Sequence, residues 1–160
     1  MKENQTNIRK LWDDKRYHSL DYELKQIYGQ KIYKLSLNGG MSCPNRDGTI
    51  DSRGCIFCSK GGSGDYAASP LLSIDEQIAE AKALLAPKLG EGHNCRYIAY
   101  FQAYTNTYAP VMYLEKIFTE AIQHPEIVAL SIATRPDCLG EEVLELLGRL
   151  NKVKPVWVEL

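Results

Sequence analysis

Strand-length apolar segments recur four times along this chain, with helix-length stretches between them, and that alternation sets the fold class. Residues 31–37 (KIYKLSL) place Tyr33, Leu35 and Leu37 on one face and Lys34 and Ser36 on the other, the period of a strand. Residues 96–102, 127–134 and 155–160 read as three further strands. Ser73 and Glu76 form a capping box, after which Ile74, Ile78, Ala81 and Leu85 make an apolar stripe at helical spacing up to about Pro87. Pro110 suits a first helical turn, and Leu114, Ile117, Phe118 and Ala121 continue a second helix that ends before Pro125. Residues 141–150 predict a third. Parallel strands need such crossovers, whereas hairpins need only a few residues. The expectation is an α/β fold with about four parallel strands and intervening helices, cut off after the fourth strand.

Residues 1–18 read as an N-terminal arm and residues 19–160 as one α/β unit. This unit opens with a short helix over 19–28 that Gly29 stops. The chain of 160 residues is long enough for a core but short for a complete barrel enzyme. Its last residues lie within an apolar strand, so the sequence reads as the N-terminal portion of a longer protein or as a sheet whose edge something else covers. A net charge of -1 supplies no global field toward nucleic acid or an acidic membrane, and no apolar run approaches a membrane span. Five cysteines and a polar, charged start, unlike a secretory leader, point to a cytoplasmic protein whose thiols serve metals or catalysis.

Three of those cysteines, Cys43, Cys55 and Cys58, lie in a loop over 38–70 that is rich in Gly, Ser and Asp, with the spacing C-x11-C-x2-C. Soft thiolates in one loop suit an iron–sulfur cluster or zinc. A closed structural site normally recruits four ligands, so three leave one position open. A loop of this length inside a compact domain is functional or disordered, and a bound metal supplies order that its composition lacks. Other polar clusters follow the later strands: 102–107, then 134–138, then Glu159 near the end of the fourth. In parallel α/β folds this carboxyl rim is where active sites gather.

The strings KIYKLSLNGGMSCPNRDGTIDSRGCIFCSKGGSGD, YFQAYTNTYAP and SIATRPDCLGEEVLELL resemble the radical S-adenosylmethionine superfamily, in particular the bacterial uncharacterised Elongator-like proteins. The x11 gap departs from that superfamily's usual x3, although longer gaps occur, as in the catalytic subunit of Elongator. The resemblance implies a partial (β/α) barrel, of which this chain is the N-terminal half. It further implies that Cys43, Cys55 and Cys58 hold a [4Fe-4S] cluster whose remaining iron chelates S-adenosyl-L-methionine. One electron from an external flavodoxin- or ferredoxin-like donor then cleaves the sulfonium to a 5′-deoxyadenosyl radical. By the same resemblance Phe57 shields the cluster near the adenine, Gln102 and Thr105 offer oxygens to the methionine ammonium, and Arg135 meets its carboxylate. Glu159 reaches a ribose hydroxyl. The usual carboxylate at the end of the second strand is missing here. The substrate is not specified; kinship points to RNA modification, with tRNA the substrate of Elongator and of the methylthiotransferases.

Blander readings stand beside these. The trio fits a structural zinc site in a non-catalytic α/β domain, with Cys138 as a fourth ligand or else a semi-buried thiol. Cys95 reads as packing. Gln102 and Thr105 suit a turn or cap, Arg135 suits a pair with Asp137, and Arg46 suits an ion pair with Asp47 that folds the loop. Gly61, Gly62 and Gly64 permit close backbone approach to a ligand. His18, His93 and His124 read as surface or loop residues. Tyr97, Tyr100, Phe101 and Tyr104 read as core packing.

Overall fold

The computed structural model describes residues 12–89 and 95–160. Most of the expected arm and His93 lie outside the described residues. The chain divides after Ile32 into two compact units.

In the first unit, α1 (Leu20–Tyr28) starts where the Ser19 hydroxyl accepts the Tyr22 N–H at 3.2 Å. It stops at Gly29, whose φ of 70° is the left-handed cap that an L side chain resists. Lys25 pairs with Asp21 one turn earlier at 2.8 Å. His18 stacks on Trp12 with ring centroids 5.6 Å apart and pairs with Glu23.

The second unit runs β1 (Tyr33–Leu37), α2 (Ile74–Leu89), β2 (Tyr97–Phe101), α3 (Val111–Gln123), β3 (Ile127–Ala133), α4 (Glu141–Leu150) and β4 (Val156–Glu159). The strands form one sheet in the order β1-β2-β3-β4, and every neighbouring pair is parallel. The α/β class and the parallel sheet follow the alternation in the sequence. Leu35, Leu37, Ala99, Phe101, Leu130 and Ile132 are buried on one sheet face, together with Ile74 and Ile78 of α2, Leu114 and Phe118 of α3, and Leu146 of α4. Phe101 meets Phe118 edge-on at 5.0 Å between centroids, a preferred aromatic geometry. Cys95 belongs to this core, as expected.

Two helix boundaries differ from the sequence reading. α2 passes through Pro87 and ends at Leu89, because a proline in the last turn forfeits only one backbone hydrogen bond of the helix. Pro110 sits just before the first turn of α3, as its N-cap with φ -55°, rather than inside that turn. The capping box is formed: Ser73 Oγ accepts the Glu76 N–H at 3.3 Å, and the Glu76 carboxylate accepts the Ser73 N–H at 2.8 Å.

Because side chains alternate along a strand, the sheet face opposite the helices carries Lys34, Tyr100, Ser131 and Glu159. Tyr100 was expected in the core with Tyr97 and Phe101. It is one residue out of phase with them and faces the other way.

Candidate functional site

The loops that follow β1, β2 and β3 meet the end of β4 at a cavity of about 540 Å³. Cys43, Cys55, Cys58, Phe57, Gln102, Thr105, Arg135 and Glu159 all line it. They come from four separate stretches of chain, and the parallel sheet brings all four to its carboxyl rim. Arg46, Tyr100 and Tyr104 complete much of the wall.

The long gap between Cys43 and Cys55 is pinched at its base. The Gly54 N–H donates to the Asn45 carbonyl at 2.8 Å, and the Asn45 amide nitrogen donates to Cys55 Sγ at 3.2 Å. Residues 46–53 therefore form an excursion whose two ends meet beside the cysteines. Inside it, the Ile50 N–H donates to the Pro44 carbonyl at 2.8 Å, and the Arg46 N–H donates to the Cys43 carbonyl at 2.8 Å. At its outer part, the Thr49 and Tyr108 hydroxyls share a 2.9 Å hydrogen bond. The spacing x11 thus folds as a short gap with a closed side loop.

The second half of the loop is held by Arg46 and Tyr104. The Arg46 guanidinium donates to the carbonyls of Cys58, Ser59 and Lys60 and lies 5.6 Å from the Tyr104 ring centroid. The Tyr104 hydroxyl donates to the Lys60 carbonyl at 3.0 Å. The expected Arg46–Asp47 ion pair is not made, because three loop carbonyls take up the guanidinium while Asp47 accepts the Thr49 N–H at 3.0 Å. Gly62 lines the cavity, and a Cβ there would clash with the Tyr104 ring, so the glycine also makes room for that tyrosine.

The three thiols share one cavity wall, but as placed they are not a ligand set for a single ion. Among the described residues no three His, Cys, Asp or Glu side chains are grouped to hold a metal. Three soft sulfurs on the wall of an open cavity fit the donor chemistry of an iron–sulfur cluster. Cys138 lines a different, shallower pocket with Tyr108, Pro110 and Asp137. Burial and the Asp137 carboxylate push its thiol up.

Arg135 lines the cavity and pairs with Asp137 through two hydrogen bonds of 2.9 and 2.7 Å. The hydrogen bond to Asp137 raises the guanidinium further above its ordinary value. The pairing and the rim position expected from the sequence are both present, with the guanidinium fork engaged by Asp137. Thr105 is buried, and its N–H donates to the Ser42 carbonyl at 3.2 Å, tying the end of β2 to the cysteine loop. Phe57 is exposed along most of its ring.

Glu159 sits in a polar network on the second sheet face. Its Oε1 accepts from Lys34 Nζ at 2.7 Å and Ser131 Oγ at 2.6 Å, and its Oε2 accepts from the Tyr100 hydroxyl at 2.9 Å. Every strand contributes one member of this network. Burial pushes the carboxyl up, but the bonds from Lys34, Ser131 and Tyr100 prevail and hold it below the usual carboxylate range. Burial and the Glu159 carboxylate push the Tyr100 phenol up to about 12. The Lys34 ammonium lies 4.0 Å from the Tyr100 ring centroid. Sequence reasoning missed Lys34, Tyr100, Ser131, Asn45 and Tyr104. The strand alternation was sufficient to find the first three, since it places them on the face of Glu159.

No protein-family model matches the chain, and no solved structure matches it. It is 46% identical over 147 residues to the uncharacterized protein YtqA of Bacillus subtilis, an alignment covering 92% of this chain and 45% of that relative. It is 44% identical over 139 residues to protein YhcC of Escherichia coli K12, covering 86% and 43%. It is 34% identical over 141 residues to the uncharacterized protein MJ0486 of Methanocaldococcus jannaschii, covering 86% and 41%. The chain therefore spans less than half the length of the curated relatives it matches. No helix among the described residues is long and apolar enough to cross a membrane.

Proposed function

We propose that this chain is the cluster-binding part of a radical S-adenosylmethionine enzyme, with the sheet forming one portion of a (β/α) barrel. The observation that carries this reading is the meeting of Cys43, Cys55, Cys58, Phe57, Gln102, Thr105, Arg135 and Glu159 around one cavity at the carboxyl rim. Helices on one sheet face and polar side chains on the other also suit a barrel wall, whose interior is lined by the second face.

In this reading the three cysteines, as thiolates, hold a [4Fe-4S] cluster and leave one iron for the cofactor. When bound, the cluster supplies the electron that cleaves a carbon–sulfur bond of S-adenosyl-L-methionine, giving methionine and a 5′-deoxyadenosyl radical that removes a hydrogen atom from substrate. Arg135 presents positive charge to the methionine carboxylate once its fork is released from Asp137. Gln102 and Thr105 offer oxygens to the ammonium, Glu159 accepts from a ribose hydroxyl, and the Phe57 ring excludes water beside the adenine. Electrons come from an external flavodoxin- or ferredoxin-like protein, and RNA, tRNA among its forms, is the substrate class that kinship suggests. A cytoplasmic location accords with oxygen-sensitive chemistry.

Anaerobic incubation with iron and sulfide tests the reading. The expected result is about four irons per chain with a broad absorbance shoulder in the visible blue, both lost in Cys55→Ala. Stoichiometric zinc with no iron uptake, or unchanged iron in Cys55→Ala, overturns it.

A further inference from the structure

The side chain of Asn45 lies at the base of the excursion in the x11 gap and donates to Cys55 Sγ at 3.2 Å. A ligating sulfur is deprotonated and only accepts, so the amide must present its NH₂ group to it. The Asn45 backbone is held as well, because its carbonyl accepts the Gly54 N–H at 2.8 Å. The Asn45 backbone thus closes the loop while its side chain addresses the ligand sulfur. The Cys58 thiol, by comparison, has the Ser63 hydroxyl at a looser 3.7 Å.

We propose that Asn45 is a positioning residue that sets the reduction potential of the metal group held at Cys55. This rests on the cluster reading above. Hydrogen bonds to ligand sulfurs are one of the protein's levers on cluster potential. An N–H directed at the sulfur stabilises the more negative, reduced state, so it moves the potential upward and makes the site easier to reduce. Substitution leaves the backbone closure by Gly54 in place and removes only the contact with the sulfur.

The test compares anaerobically reconstituted chain with Asn45→Leu, reading iron content and the midpoint potential from samples poised against redox dyes and followed by electron paramagnetic resonance. The expected result is unchanged iron and a reduction equilibrium weakened roughly tenfold, about 59 mV lower for one electron. Asn45→Asp, which turns only acceptors and a negative charge toward the sulfur, moves the potential down at least as far, and decides the matter should Asn45→Leu fail to load. Unchanged potentials overturn the proposal, and so does loss of iron from both variants, which would make Asn45 a loop-closing residue only. A wild-type chain that builds no cluster defeats the underlying reading instead, so the two failures are distinguishable.

Discussion

The sheet and the cysteine loop are ordered by different physics. Side chains such as Phe101, Phe118, Leu130 and Ile132 are fully buried where α2, α3 and α4 cover the sheet, and their positions are set by the apolar area removed from water. In the loop Met41 reaches the core, whereas Ile50, Ile56, Phe57 and Tyr66 are all mostly exposed. Order there comes from polar contacts: Asn45 to Gly54 and Cys55, and Arg46 to the carbonyls of Cys58, Ser59 and Lys60. Hydrogen bonds exposed to water contribute little net stability, so such a loop opens at low cost. The contrast teaches a division of labour. A rigid sheet fixes where the site is, and a lightly held loop leaves its cysteines freer to move.

Phe118→Ala challenges the first half of this contrast and carries the largest expected effect. Loss of a fully buried ring against Phe101 costs about 3–5 kcal/mol, read as a lower denaturant midpoint for the whole second unit. A cost near 1 kcal/mol would mean that the sheet is no better packed than the loop. Arg46→Ala challenges the second half. It should raise amide hydrogen exchange across residues 54–62 while moving global unfolding by less than about 1 kcal/mol. Equal losses of protection in the loop and in β2 would mean that the two regions unfold as one.

Glu159→Gln sharpens the boundary between the regions and carries the smallest effect. The folded-state pKa of Glu159 is lowered, so its contribution is fully present above the unfolded value near 4.3 and is lost as pH falls through the folded one. The variant should therefore be slightly less stable at neutral pH and lose less stability on acidification below about pH 4. A stability–pH curve parallel to that of the wild type would remove the network of Lys34, Tyr100 and Ser131 from the account. Because Glu159 is only half-buried, the neutral-pH difference stays within about 1 kcal/mol.

The same contrast explains what the sequence made legible. Strand and helix positions could be read because burial on one face leaves a period of two or near 3.6, as in Tyr33, Leu35 and Leu37 or in Leu114, Ile117 and Phe118. The eight candidate site residues could be placed at one rim because parallel strands bring their carboxyl ends together. The interior of the loop could not be read. The bond from Gly54 to Asn45 joins backbone atoms nine residues apart, and no side-chain pattern announces it. Arg46 was misread because its partners are carbonyls, which every residue carries, whereas the adjacent Asp47 offered a charge to match. Tyr100 was misread by grouping aromatics by type rather than by phase, although its phase places it on the side of Glu159.

Iron-57 Mössbauer spectra of the anaerobically loaded chain, taken with and without S-adenosylmethionine, test the open metal position most directly. One iron site in about four is expected to change its isomer shift when the cofactor is added. Spectra in which every site stays the same, or a chain that fills with zinc instead of iron, would contradict this expectation.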